Sequence, residues 1–255
     1  MRGRPLLAAL LALPFAALST PAAHAAESDI TFSNVVVNNG KPVVIGTTGT
    51  VVVPITYTIK HSVKLSDQWV GIYRGPYGGA GERDLGYSGE GPYCEKNSTG
   101  TTEHCEMTTN VVAKTDLVNA DATVWKTVGI AVRADGSFDE DLTAATAHVK
   151  RNAKLTVDAS PEPVTKGKKI TVTGKLTRAN WSTHAYGGYA GREVSLQFRK
   201  KGSSAFTTVK KITSTTGGAL KATVTASADG DWRWVFYGDG STGSRKSATD
   251  FVDVR

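Results

Sequence analysis

Four oxygen-bearing side chains at alternate positions form the strongest candidate ion site in the sequence. They are Asp135, Ser137, Asp139 and Asp141. Oxygens on alternate residues can converge on a hard cation, and calcium takes about six to eight of them. The segment departs from an EF-hand, because Gly136 comes second rather than sixth and no helical pattern flanks it. The alternative interpretation is a solvated hairpin turn, since Asp-Gly tolerates the positive φ that tight hairpins need.

A second candidate site is the aromatic loop that runs from Trp181 to Tyr189. Its members are Trp181, His184, Tyr186 and Tyr189. Aromatic rings exposed on a loop present apolar area with a polar tip, which suits recognition of sugars or peptides. The alternative is that these rings close one end of a domain core. The loop therefore predicts either a weak ligand site or a core closure.

No local catalytic motif is present in the sequence. It contains no HExxH, GxSxG or CxxC pattern and no phosphate-binding loop. The histidines after residue 25 stand singly. We therefore predict a non-enzymatic protein without a cofactor other than calcium. An enzyme or a protease inhibitor would use the long glycine-rich loop from Gly75 to Tyr93, because loops of this length are usually functional or mobile.

The N-terminal segment predicts export. Arg2 and Arg4 precede an apolar run over 6–18, and Ala23-His24-Ala25 forms a small-x-small cleavage site, so we predict a signal peptide over residues 1–25. The run is shorter than the roughly 20 residues that span a bilayer, and no later stretch is long and apolar enough to be a transmembrane segment. In an oxidising destination, Cys94 and Cys105 are expected to pair. The prediction is a secreted, extracellular monomer.

Composition indicates a globular protein with a mild positive charge. Hydrophobic residues make up 40% and charged residues 21% of the chain. Removal of Arg2 and Arg4 with the signal peptide lowers the formal net charge from +7 to +5. The basic residues are scattered among predicted strands, which argues against nucleic-acid binding. Clusters such as Arg199 to Lys201 and Lys210-Lys211 are solvated edges, or hold an anionic cell-wall polymer if they share a face.

Period-2 hydrophobic patterns predict strands throughout. Val51, Val53, Ile55, Tyr57 and Ile59 alternate with other residues, and Pro54 on the opposite parity indicates an edge or a bulge. No segment shows sustained helical periodicity. The predicted fold class is all-β, with two immunoglobulin-like antiparallel β-sandwich domains in tandem. We place them at residues 26–152 and 153–255, with a short hinge around Ser160-Pro161-Glu162-Pro163, because each proline lacks an amide donor.

Three stretches of the second domain carry a family resemblance: NAKLTVDASPEPVTKGKKITVTGKLTRANW, YAGREVSLQFRKKGSSAFTTVKKI and DGDWRWVFYGDGSTGSRKSATDFVDV. They resemble a C-terminal module of secreted actinobacterial proteins and are similar to bacterial immunoglobulin-like domains. DLVNADATVWKTVGIAVRADGSFDED resembles the domain that often precedes this module in uncharacterised proteins, a few of which are named calcium-binding protein. The resemblance implies export and a fold, and it implies no reaction. From the sequence as a whole we predict a binding or structural protein at or near the cell surface, with a cell-wall or extracellular polysaccharide or a protein as partner.

Overall fold

The structure is a computed structural model that describes residues 29–255. The predicted signal peptide at 1–25 lies outside the described residues. Between residues 29 and 255 no helix has the length and apolar character needed to cross a membrane. Strands predominate in the described chain and helical turns are few, which confirms the predicted all-β class.

Ten strands precede Asn152. They are β1 (Ile30–Val37), β2 (Val43–Ile45), β3 (Thr50–His61), β4 (Leu65–Arg74), β5 (Arg83–Asp84), β6 (Tyr87–Ser88), β7 (Tyr93–Lys96), β8 (Thr102–Val112), β9 (Val124–Arg133) and β10 (Phe138–Arg151). Ten more follow it. They are β11 (Ala153–Leu155), β12 (Asp158–Ser160), β13 (Lys169–Asn180), β14 (Ala185–Gly188), β15 (Glu193–Lys200), β16 (Thr207–Thr213), β17 (Ala219–Thr225), β18 (Gly230–Phe236), β19 (Arg245–Lys246) and β20 (Asp250–Val252). The helical turns are α1 (Ala113–Asp116) and three 3₁₀ turns at Asn38–Gly40, Asn119–Asp121 and Thr216–Gly218.

The first ten strands form a sandwich with immunoglobulin connectivity, here called the first sandwich. One sheet has the order β1-β3-β8-β6, and β7 also pairs with β8. The other has the order β2-β10-β9-β4-β5. Strand β2 runs parallel to β10, whereas the other pairs are antiparallel. These orders match the A-B-E-D and G-F-C sheets of immunoglobulin domains, with β2 as an added strand beside G and β5 beside C.

The buried face of β3 follows the predicted alternation. Val53, Ile55, Tyr57 and Ile59 are buried and pack in the core of the first sandwich. Strand β1 pairs with β3 only from Ile55 onward, while β8 pairs along its whole length. Pro54 therefore lies where one side of β3 has no partner strand, which agrees with the edge that the proline predicts.

The last ten strands form the second sandwich. Its first sheet consists of β11, β12, β14 and β17 around β13, and its other sheet has the order β16-β15-β18-β19 with β20 beside β18. This is the A-B-E and C′-C-F-G arrangement of immunoglobulin-like sandwiches. Trp232 and Trp234 of β18 are buried in its core with Leu196 of β15. The alternating tryptophans thus face inward, as their spacing indicates.

The predicted position of the hinge is wrong. Strand β12 already pairs with β13, so Pro161 and Pro163 lie in a turn within the second sandwich. The missing proline amides are tolerated there because turn residues need no ladder donor. The chain passes between the sandwiches at Asn152 instead, whose N–H donates to Ile45 O (2.8 Å) and whose C=O accepts from Ala179 N (2.8 Å). The connection is therefore hydrogen-bonded to both sides.

Candidate functional site

Trp181 lies at the junction between the two sandwiches. It follows β13 of the second sandwich, yet its side chain is 0% exposed and belongs to the hydrophobic cluster of the first. Its indole Nε1–H donates to Gly46 O (2.7 Å), and its backbone N–H donates to Asn119 Oδ1 (2.9 Å). Trp181 thus belongs to a core that the two sandwiches share, and its ring does not form an exposed binding surface.

Further hydrogen bonds continue the junction on both sides of Trp181. Arg151 is only 7% exposed, and its Nε–H donates to Ala179 O (2.5 Å). Burial lowers the pKa of Arg151, and the nearby charge of Arg178 lowers it further. Lys150 Nζ donates to Asp239 O (2.6 Å), and the side chains of Asn119 and Asn180 bond at 2.8 Å. The interface therefore combines buried apolar packing with satisfied polar groups.

The backbones also approach closely at this junction. A Cβ atom added to Gly243 would lie 2.8 Å from Val44 Cγ1, which is closer than real Cβ contacts allow. Gly243 N–H donates to Arg151 O (3.0 Å), and Arg151 N–H donates to Ser241 O (2.9 Å). Glycine is required here by the close approach of the neighbouring sandwich.

The other three residues of the aromatic loop do not form one site with Trp181. Tyr189 is buried, its hydroxyl donates to Asp239 Oδ2 (2.5 Å), and the guanidinium carbons of Arg178 and Arg192 lie 4.0 and 4.6 Å from its ring centroid. Tyr186 is half-buried beneath Lys154 Nζ (4.0 Å), and burial raises its pKa. His184 is exposed with φ of 51°. Trp181 and Tyr189 are core residues, as in the core-closure alternative, so the described loop presents no exposed platform of four aromatic side chains.

The acidic residues at the β9–β10 hairpin each have a different protein partner. Asp135 Oδ1 accepts from Ser137 N (3.0 Å) and Oγ (2.7 Å), and these bonds lower the pKa of Asp135. Asp139 Oδ2 accepts from Arg133 Nε (2.6 Å). Asp141 Oδ2 accepts from Phe32 N (2.8 Å). The carboxylate of Asp135 thus stabilises the turn, and those of Asp139 and Asp141 bind groups on neighbouring strands. The three carboxylates do not converge on one point.

Only one group of three ligating side chains lies within 4.8 Å among residues 29–255, and it consists of Cys94, Glu103 and Cys105. The two cysteines are opposite each other on β7 and β8 and form the predicted disulfide, which confirms their pairing. Their sulfurs are therefore not available as thiolate ligands. Glu103 instead accepts from His61 Nε2 (2.9 Å) and Lys96 Nζ (3.1 Å).

We expect the thermal midpoint of the protein to be the same in chelator and in millimolar calcium. Calcium binding at the acidic hairpin would require the carboxylates of Asp139 and Asp141 to leave their present hydrogen-bond donors. If a site of micromolar affinity existed, millimolar calcium would stabilise the fold by about 4 kcal/mol and raise the midpoint. Calorimetry in both buffers checks this, with Asp158→Asn on an exposed strand as the control variant. A rise in calcium that Asp139→Asn abolishes and Asp158→Asn retains would contradict the expectation.

The Gly75–Tyr93 loop is held down by a buried carboxylate, that of Asp121. Asp121 is fully buried and accepts from Arg74 Nη2 (2.7 Å), Arg83 Nη2 (3.0 Å) and Val118 N (2.7 Å). Sequence reasoning missed Asp121, because its arginine partners are 47 and 38 residues away and no local pattern connects them.

A cleft of about 440 Å³ lies between this loop and β4. Its apolar lining includes Trp69, Ile72, Leu85 and Met107, and Asp67 also lines it. Mixed apolar and acidic walls suit a small apolar or cationic group. The lining contains no histidine, lysine or cysteine, so the cleft brings no general base other than a carboxylate to a bound group.

A second cleft, of about 480 Å³, contains a threonine hydroxyl that is hydrogen-bonded to a histidine. Thr58 Oγ1 lies 3.0 Å from His104 Nδ1, and Asn34 Nδ2 donates to the same hydroxyl (3.4 Å). Thr58 and His104 are direct cross-strand neighbours on β3 and β8. Such pairs are a normal means of stabilising a sheet face. The amides of paired strands serve the ladder, so they do not provide an oxyanion hole here.

Comparisons with known proteins find distant structural similarities. No protein-family model and no curated protein matches the chain. Fibronectin(III)-like modules of Clostridium thermocellum CbhA align with 12% identity over 88% of this chain and 92% of that one, at a TM-score of 0.33. The chicken interferon gamma receptor alpha chain aligns with 12% identity over 80% and 96%, at 0.35. The adhesin InvE of Yersinia pseudotuberculosis aligns with 15% identity over 88% and 58%, at 0.28. Similarities this low carry no argument about function.

Proposed function

We propose that the protein is a secreted, non-enzymatic binding protein that acts at or near the cell surface and recognises polysaccharide or another envelope polymer. The observation that carries this proposal is the shared core at Trp181, which fixes the second sandwich on the first. Two sandwiches in a fixed orientation present long, ordered sheet faces. A polymer can contact such faces over many repeats without any enclosed pocket.

The clefts of the first sandwich favour binding over catalysis. The 440 Å³ cleft contains carboxylates without a histidine, lysine or cysteine, and the Thr58–His104 pair lies on a paired sheet face. A catalytic site needs a nucleophile, a base and donors at the developing charge in one place. At the Thr58–His104 pair a hydroxyl and a base meet as a cross-strand hydrogen bond, without donors at the place where charge would develop.

Sedimentation with insoluble glycans and bacterial cell-wall sacculi tests the proposal. The secreted protein is mixed with chitin, cellulose, xylan and sacculi, and the supernatant is assayed for protein and for newly released reducing ends. We expect depletion of the protein by at least one polymer, with no release of reducing ends. Full recovery in every supernatant would contradict binding, and accumulation of reducing ends would show an enzyme.

A further inference from the structure

The outer face of the second sandwich's β16-β15-β18-β19 sheet carries an unusual set of cations and aromatic rings. Trp232, Trp234 and Phe236 point into the core, so the alternate residues of β18 point outward. We define the basic face by six residues on or beside this surface. They are Arg199, Phe206, Lys211, Arg233, Tyr237 and Lys246.

Two guanidinium groups of the basic face share one aromatic ring. The Cζ atoms of Arg233 and Arg199 lie 3.6 and 4.7 Å from the centroid of Phe206. Arg199 is neutralised by Asp231, which accepts from its Nε (3.1 Å) and Nη2 (2.8 Å). Arg233 donates to Gln197 Oε1 (2.9 Å) and forms no ion pair with a carboxylate of residues 29–255. The fixed cation of Arg233 is thus unneutralised.

The positive charges of Arg199 and Arg233 repel each other. Burial lowers the pKa of Arg233, and the positive charge of Arg199 lowers it further. The cation–π contact with Phe206 holds the Arg233 guanidinium in a defined place despite this repulsion. An anion next to both groups would relieve the repulsion and complete the charge balance.

The lysines extend the positive surface across the sheet. Lys211 on β16 pairs with Ser195, Ser195 pairs with Val235, and Val235 pairs with Lys246 on β19. Lys211 and Lys246 therefore lie on strands that are three inter-strand spacings apart, which is about 14 Å. Lys211 has an exposed ion pair with Glu193 (2.9 Å), which contributes little in water, and Lys246 has none among the described residues. The four cations exceed the two carboxylates, Asp231 and Glu193, by two charges.

An exposed tyrosine and a groove complete the surface. Tyr237 is 63% exposed, and its hydroxyl oxygen accepts from Gln197 Nε2 (3.2 Å), which connects it to the Arg233 side. A groove of about 360 Å³ runs beside it and is lined by Val235, Phe236, Tyr237, Ser244, Arg245 and Lys246. An exposed ring beside unpaired cations suits a ligand that has both apolar ring faces and negative charge.

We infer that the basic face binds a carboxylated polysaccharide, whose sugar rings stack on Tyr237 while its carboxylates contact Arg233 and Lys246. The inference rests on the proposed function and names the polymer class. A polyanion without sugar rings would use the cations and leave Tyr237 without a role. A neutral polysaccharide would leave the excess charge unused.

The test uses polygalacturonate, its fully methyl-esterified form and polyphosphate as immobilised probes. We expect the protein to bind polygalacturonate, to bind the ester at least tenfold more weakly, and to lose affinity as salt shortens the Debye length. R233A/K246A should weaken polygalacturonate binding about tenfold. Y237A should weaken polygalacturonate binding severalfold and leave any polyphosphate binding unchanged.

The control is K168A/K169A, which removes the same charge at an exposed turn and the start of β13, away from the basic face. It should bind like the unmodified protein, and a cooperative thermal transition will show that R233A/K246A is folded. Equal binding by R233A/K246A and wild type, equal losses in the control, or equal binding of the ester would overturn the inference. If the variants and the unmodified protein are retained equally on glycans, only the inference is overturned. If no polymer retains the unmodified protein, the proposed function is overturned too.

Discussion

Replacement of Trp181 by alanine is expected to destabilise the first sandwich, although the residue follows a strand of the second. The change empties a fully buried site in the first sandwich's core and removes the donor to Gly46 O. Truncation of a buried aromatic residue costs about 3–5 kcal/mol. The loss should lower the midpoint of the first sandwich by about 10–15 °C. It should also split one cooperative transition into two, which calorimetry measures directly.

Trp234→Ala is the matched control. Trp234 is equally buried, and its Nε1–H donates to Thr173 O (3.0 Å) within the second sandwich. This variant should destabilise the second sandwich. Trp181→Phe should retain most of the packing and cost about 1 kcal/mol through the lost hydrogen bond. If Trp181→Ala leaves the unfolding of the first sandwich unmoved, the shared core is not what joins the two units.

Replacement of Asp121 by alanine is expected to destabilise the first sandwich by about 2–3 kcal/mol, because the fully buried carboxylate makes charge-assisted hydrogen bonds. The side chains of its partners Arg74 and Arg83 are 30% and 37% exposed, so water replaces part of what they lose. Val118 N–H also loses its acceptor. Because Arg83 lies on β5, the Gly75–Tyr93 loop should become more sensitive to proteolysis. Urea unfolding and limited proteolysis measure the two effects.

Asp135→Ala provides the comparison for Asp121, because Asp135 is an exposed turn residue. Its loss should change the free energy of unfolding far less than the loss of Asp121 does. A similarly small change for Asp121→Ala, with the loop still resistant to protease, would mean that the buried carboxylate does not anchor the loop.

Local patterns in the sequence predicted the strands and the disulfide well. The alternation in β3 and β18 marks the buried faces correctly, since a strand with one buried face repeats every two residues. The pairing of Cys94 and Cys105 could be predicted because the sequence has two cysteines and its predicted destination is oxidising. Period-2 patterns say which side of a strand is buried, and they do not say what covers it.

The junction could not be predicted for that reason. Trp181 is covered by groups 62 and 135 residues earlier in the chain, and its aromatic neighbours gave the loop the composition of a binding surface. The basic face is likewise assembled from β15, β16, β18 and β19, so its arginines and lysines are scattered in the sequence. The prolines were misleading because a turn within a domain and a linker between domains use the same residues.

The most direct test of the shared core is the distance distribution between spin labels on the two sandwiches. Labels at Lys114→Cys and Lys210→Cys occupy exposed positions, one on each sandwich. We expect a single narrow distribution for the otherwise unmodified protein and a broad one when Trp181→Ala is added. A broad distribution with Trp181 intact would contradict the claim that the two sandwiches form one fixed unit.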